Sequence, residues 1–233
     1  MTIHINAEEL EKVVLEECVP VLEHLRFEPS YWRHQLIMSM ACTVVETAHA
    51  VVLLAIHKKG YEANLLARKV LEGMVEVKML AQCPEYVGTM RLADASYWLK
   101  QLQEGVDGNP YTAALGKIEN VEEVIEEHKK LIDELKSQGT RRMTAFEKFE
   151  QVGLKNEYQT VYRNLSGDVH GRLDALIKRH VVEKGDSVGV VAFTETSIEE
   201  MQATLLGVRN WVRETTQVTK AFLESEMPQP ESN

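Results

Sequence analysis

Residues Leu36–Ile56 read LIMSMACTVVETAHAVVLLAI. The run is about as long as a bilayer span. Glu46 and His49 stand at its centre, Ser and Thr interrupt it, and Lys58 and Lys59 follow without forming a basic cluster. A charged residue at mid-bilayer is costly, so the run is read as the buried central helix of a bundle and not as a membrane span. The composition agrees. Glycine (13) and proline (6) are scarce in 233 residues, aromatics are 6%, and helix formers abound. Few turn-formers argue against a many-stranded β protein.

Working outward, Asn6 with Glu9 forms a capping-box pair opening a first helix to about Leu25. Pro29 biases Glu28 away from helix, and Ser30 is expected to cap the long second helix, which ends near Gly60. Tyr61–Gln82 is a third helix, stopped by Cys83-Pro84. A fourth starts with Pro84 in its first turn and runs to about Glu104. Residues 105–110 are a loop. Residues 117–136 carry seven acids and four lysines and are expected as a solvated flank or projecting arm. Gln138–Arg142 is a linker. Thr144 with Glu147 caps a short helix that Gly153 ends, and 154–182 is expected as one long helix. Residues 188–194 (VGVVAFT) are the one β-like run, without a clear partner. Ser197 with Glu200 opens the last helix, to about Glu226, and 227–233 is a frayed tail. The expectation is one all-α bundle over 1–226, of about seven or eight helices with at most one short ribbon.

The net charge of −10 argues against a general polyanion binder, although a local basic patch is compatible with it. Cys18, Cys42 and Cys83 are odd in number, widely spaced and without a CxxC, which argues against a disulfide framework or a zinc–thiolate site. The opening Met-Thr-Ile-His lacks the basic and apolar regions of a signal peptide, so a cytoplasmic location is expected. No P-loop, Rossmann, zincin or nucleophile-elbow motif is present. Glu46-Thr-Ala-His49 is an E-x-x-H unit, but no second copy exists, so neither metal nor cofactor is expected.

The segment with most chemistry is Tyr158–Arg172, YQTVYRNLSGDVHGR. Tyr158, Tyr162, Leu165, Val169, Leu173 and Leu176 recur at intervals of three and four, as one apolar stripe. Arg163, Ser166, Gly167, His170 and Asp174 fall on an adjacent stripe. Arg163 and His170 are seven apart, two turns along one face. Gly167 and Gly171 are each costly in a helix by about 1 kcal/mol against Ala, which implies the close approach of a helix, a subunit or a ligand. Residues 154–182 carry five basic and three acidic side chains, a local +2 that includes Arg172. An arginine and a histidine together suit phosphate binding and proton transfer, the needs of metal-free RNA cleavage. The bland alternative makes them packing residues, with Arg163 paired to a glutamate and His170 satisfied by a neighbouring helix. On the preceding helices, Arg68 and Glu72 share a face four residues apart. With Glu46 and His49 they are expected to meet each other or a ligand, as an ion-pair network or as support for the helix carrying Arg163.

Arg163-Asn164 followed by His170 resembles the R-x(4–6)-H signature of HEPN domains, at the long end of its spacing. That resemblance implies an all-helical, often dimeric fold and a metal-independent endoribonuclease of bacterial defence or toxin–antitoxin systems. It implies Arg163 and His170 as catalytic, with Asn164, Ser166 and Arg172 on RNA and Glu46, His49, Arg68, Glu72 and Tyr162 behind them. Its partners would be a second copy, RNA, and an antitoxin or defence-operon protein, with no membrane. The set Ala67-Arg68-x-x-x-Glu72, Arg91-Leu92-Ala93 and Tyr162-Arg163-x-Leu165-Ser166-x-x-Val169-His170 also resembles an uncharacterised bacterial domain-of-unknown-function family, over roughly residues 35–180. The rival to the nuclease is a non-catalytic helical module holding a partner protein or small ligand in the same polar cleft.

Overall fold

Apolar residues on the central helices recur with the period that buries one face. On α3 (Trp32–Ile56), Ile37, Ala41, Val44, Ala48, Val51 and Val52 are all buried. On α4 (Gly60–Gln82), Ala67, Val70, Leu71, Met74 and Leu80 are buried, and on α11 (Ile198–Glu226), Leu205, Val208 and Val212. These three helices pack on one another. Each fully buried Val, Leu or Met contributes about 1.5–3 kcal/mol, so this layer dominates the fold's stability. The structure, a computed structural model, describes residues 5–169, 172–185 and 187–226. His170 and Gly171, and the expected tail 227–233, lie outside them. The fold is all-α with one short β ribbon.

The chain forms two compact units, one of residues 1–82 with 148–233 and one of 83–147. In the first, the Asn6 carboxamide accepts the Glu9 N–H at 2.8 Å and the Glu9 carboxylate accepts the Asn6 N–H at 3.0 Å. That box opens α1 (Ala7–Lys12), which continues through a π-helical stretch, Val13–Cys18, into α2 (Val19–His24). Pro20 explains the widened turn, because its ring opposes the carbonyl four residues back. The Val19 N–H accordingly reaches Val14, five residues back.

α3 starts at Trp32, and Ser30 does not cap it: the Ser30 hydroxyl instead donates to Glu28 at 2.8 Å. It ends at Ile56, short of Gly60. By length and composition alone α3 could cross a membrane. The middle of its exposed side, however, is Gln35, Ser39, Cys42, Thr43 and Glu46, with Trp32, Leu53 and Ile56 exposed towards its two ends, and its buried apolar residues lie against α4 and α11. That is the pattern of a core helix. A Cβ on Gly73 would stand 2.4 Å from Val44 Cγ2, so glycine is what lets α3 and α4 meet this closely. Arg33 donates to the terminal carbonyls of α4, at 2.6 Å to Leu80 and 2.8 Å to Ala81, closing that helix.

In the second unit, α5 (Tyr86–Val106) packs on α6 (Val121–Ser137). Ile132 and Leu135 of the charged helix are buried with Leu92 and Ala95. Thr144 and Glu147 form the expected box at the start of α7 (Ala145–Gln151), the Thr144 N–H donating to Glu147 at 2.7 Å.

The expected helix 154–182 is not continuous. It divides into α8 (Lys155–Glu157), a π-helical stretch Tyr158–Tyr162, α9 (Arg163–Val169) and α10 (Leu173–His180). Arg172, with ψ 136°, breaks the helical path before α10. Of the expected apolar stripe, Tyr162 and Leu165 are buried, while Leu173 and Leu176, beyond the break, are exposed. Val181–Lys184 and Ser187–Val190 then form an antiparallel ribbon, β1 and β2. The run 188–194 thus finds its partner in residues that helix periodicity had claimed. Gly185, at φ +61°, supplies the left-handed backbone that a two-residue hairpin turn requires. The Ser197–Glu200 box opens α11 with bonds of 3.0 and 3.3 Å.

Candidate functional site

α4 and α9 pack together, and a polar triad joins them. Arg68 and Glu72 are one helical turn apart and their side chains meet, Nε to Oε1, at 2.9 Å. Tyr162, at the end of the π-helical stretch, places its hydroxyl between them. It accepts from Arg68 at 2.8 Å and donates to Glu72 at 3.1 Å. Lys69 holds the other Glu72 oxygen at 2.7 Å. The Arg68 guanidinium also lies 4.9 Å from the Tyr162 ring centroid. Tyr158 stacks on Tyr162 at 5.0 Å, and Phe149 closes against both rings.

The electrostatics follow from this geometry. Burial alone would raise the Glu72 carboxyl; the Lys69 hydrogen bond and charge, with Arg68 and the Tyr162 hydroxyl, outweigh it and hold its pKa low. Burial pushes the Tyr162 phenol up, and the Glu72 charge pushes the same way against Arg68. Burial works against the Arg68 charge, and Tyr162 and Glu72 more than restore it, so its pKa is raised. At neutral pH the triad is an ion pair bridged by a neutral hydroxyl.

Two more ion pairs continue along α4. Glu62 binds Arg179 of α10 at 2.5 Å, with that guanidinium 3.7 Å from the Tyr61 ring centroid. Glu76 binds Lys148 of α7 at 2.6 Å. The sequence reading missed Lys69, Lys148 and Arg179. The signal available for Lys148 was Glu76, which continues the Arg68–Glu72 spacing by one further turn.

On the other side of Tyr162, Arg163 and Asn164 are exposed at the start of α9 and, among the described residues, make no side-chain hydrogen bond or ion pair. Ser166 is half-buried. Arg172 is exposed, pairs with Asp174 at 3.0 Å, and lays its side chain over Gly167, where a Cβ would stand 2.9 Å from Cζ. Within this chain, the close approach at Gly167 is by the Arg172 side chain. Arg163 and His170 do not belong to one unbroken helix extending to 182, and His170 itself lies outside the described residues.

Glu46 and His49 do not join the triad. Glu46 is exposed on the polar side of α3, and His49 lies 3.6 Å from Glu11 of α1. The reason is rotational: the apolar side of α3 faces α4, which turns Glu46 to solvent and His49, half-buried, towards α1. Among the described residues no group of three or more His, Cys, Asp or Glu is arranged to hold a metal. Clefts of about 240 and 220 Å³ lie elsewhere, one lined by Cys18, Arg213 and Lys220, the other by Tyr61, Asn64 and Arg179.

The model of a family described as "Family of unknown function (DUF5677)" matches residues 34–188. Comparison with curated proteins gives no match, and comparison with solved structures gives none. The family match takes in more than half of the 233 residues, including α3, α4, α9 and the Arg68–Glu72–Tyr162 triad. The chain therefore belongs to this uncharacterised family, DUF5677.

Proposed function

We propose that the chain is a metal-independent endoribonuclease of HEPN-like type, acting in the cytoplasm within a bacterial defence or toxin–antitoxin system. The observation that supports it most is Arg163: exposed, unpaired among the described residues, and directly following a tyrosine anchored by two charged side chains. A cation meant for phosphate must be free while its scaffold is held, because misplacement costs rate. In this reading Arg163 binds the scissile phosphate with its planar fork and stabilises the charge of the phosphorane. His170 takes the proton of the 2′-hydroxyl or gives one to the 5′-oxygen leaving group. Asn164, Ser166 and Arg172 orient the RNA. Arg68, Glu72 and Tyr162 are positioning residues that act through α9.

The second reading is a non-catalytic binding module. It is favoured by the triad's hydrogen bonds, which tie Arg68, Tyr162 and Lys69 to Glu72 as a structural network would. The net charge of −10 also opposes an RNA ligand at long range. A salt titration of single-stranded RNA binding separates the two. The nuclease reading expects log K to fall linearly with log salt, and Arg163→Ala to lower the slope by about 0.7, one phosphate contact. A flat salt dependence, or a slope unchanged by Arg163→Ala, would favour the binding module.

A further inference from the structure

Apolar burial does not hold α10 on the bundle. The helix has no buried residue, and Leu173, Leu176 and Ile177 are all exposed. Its inward side is Ala175 and Arg179, half-buried and one turn apart. Arg179 reaches α4. Its guanidinium binds Glu62 at 2.5 Å and lies 3.7 Å from the Tyr61 ring centroid. The two charged side chains are 22% and 39% exposed, so the pair is only partly in water. The Thr194 hydroxyl donates to the Arg179 carbonyl at 2.6 Å and ties the chain after the ribbon to the same point. These are the residue types that hold α9: Arg68 binds Glu72 at 2.9 Å and lies 4.9 Å from the Tyr162 ring centroid. α4 supplies the glutamate each time, at 62 and at 72, about 15 Å apart along its axis.

Arg172 stands between the two clamps. It is the N-cap residue of α10. Its N–H donates to the Gly167 carbonyl of α9 at 3.1 Å, and its carbonyl accepts the Leu176 N–H at 3.0 Å. Its Nε binds Asp174 at 3.0 Å. The place of Arg172 is therefore set by where α9 and α10 are held. We propose that Tyr61, Glu62 and Arg179 form a positioning clamp that docks α10 on α4 and so sets Arg172 against RNA. The clamp acts through one short helix, with Arg179 near one end and Arg172 at the other, about 10.5 Å apart along the axis. Its docking role stands on the geometry alone; the role of Arg172 rests on the nuclease reading. Arginine suits the task better than lysine, because a planar guanidinium stacks on Tyr61 and bonds Glu62 at once, and an ammonium gives up the stacked plane.

The test joins amide hydrogen exchange of the full chain with binding of a single-stranded 2′-O-methyl RNA, which lacks the 2′-hydroxyl nucleophile. Arg179→Ala and Glu62→Gln are expected to speed exchange across α10 about tenfold or more, and to leave α3, α4 and α11 as in the wild type. Arg179→Lys should fall between. Lys178→Ala removes the same charge one residue away and should exchange as the wild type does. Arg179→Ala should weaken RNA binding about tenfold, the equivalent of one charged contact. It should weaken binding no further in a chain that already carries Arg172→Ala. That non-additivity separates positioning of Arg172 from a general loss of charge or stability. α10 amides protected as in the wild type in both Arg179→Ala and Glu62→Gln would overturn the clamp. Losses from Arg172→Ala and Arg179→Ala that add would overturn action through Arg172. A wild type that binds no RNA at low salt would defeat the nuclease reading and the role given to Arg172, and the exchange result would still decide the clamp.

Discussion

Replacing Tyr162 by phenylalanine removes one oxygen and keeps the ring. The stacking on Tyr158, the contact with Phe149 and the position under Arg68 survive. Two hydrogen bonds are lost, one accepted from Arg68 at 2.8 Å and one donated to Glu72 at 3.1 Å. A bond to a charged group is worth about 1.5–3 kcal/mol. Arg68 and Glu72 retain each other at 2.9 Å, and Glu72 retains Lys69. Their side chains are 15% and 23% exposed, so water can take up part of the vacated bonding. The net cost is therefore about that of one such bond, ~1.5–2 kcal/mol. At about 2–4 °C per kcal/mol for a chain of this size, the melting temperature should fall by roughly 3–8 °C. Tyr162→Ala also empties the aromatic cluster and should cost about 3–5 kcal/mol. Urea unfolding followed by circular dichroism measures both variants. A phenylalanine variant as stable as the wild type would refute the bridging role of the hydroxyl. One as damaged as the alanine variant would show that the bridge, and not the ring, holds α9.

The same triad predicts a plateau of stability against pH. Glu72 has a folded pKa below its ordinary 4.5, so its contribution is present above about pH 4.5 and lost as pH falls through the lower folded value; Glu72→Gln should flatten that acid limb. Tyr162 has a folded pKa above its ordinary 10.0, so its contribution is present below pH 10 and lost as pH rises through the higher value, a limb that Tyr162→Phe should remove. Gly73→Ala drives a methyl to 2.4 Å from Val44 Cγ2 and should cost about 1–3 kcal/mol, with Val44→Ala in the same chain recovering part of it; equal stability of Gly73→Ala and wild type would contradict the close contact of α3 with α4. Arg163→Ala, at a position exposed and unpaired among the described residues, should leave unfolding within about 0.5 kcal/mol of wild type, and a larger loss would mark Arg163 as structural.

What was legible in the sequence was local. Capping boxes are short-range chemistry, and Asn6–Glu9, Thr144–Glu147 and Ser197–Glu200 all form. The Arg68–Glu72 pair is a one-turn relation, and Tyr162 was already placed beside it. What was hidden depended on rotation and on breaks. In α3 the polar side, Gln35, Ser39, Thr43 and Glu46, is diluted within a mostly apolar run, so Glu46 reads as buried when it faces outward, and His49 meets α1 instead of the triad. After Val169, leucines at 173 and 176 continue a helical period that the chain does not keep. Their periodicity marks the amphipathic α10, whose apolar side no element among the described residues covers. Only the ribbon's first strand, Val181–Lys184, was hidden, because it reads equally well as the end of a helix.

The most direct test of the central claim is the integrity of RNA in cells expressing the wild type, Arg163→Ala or His170→Ala, repeated with purified protein in EDTA. A metal-independent nuclease gives discrete new RNA ends with the wild type, survives EDTA, and loses the ends in both variants while they remain folded. Intact RNA with all three proteins, equally soluble and equally stable, would contradict it and leave a binding module in its place.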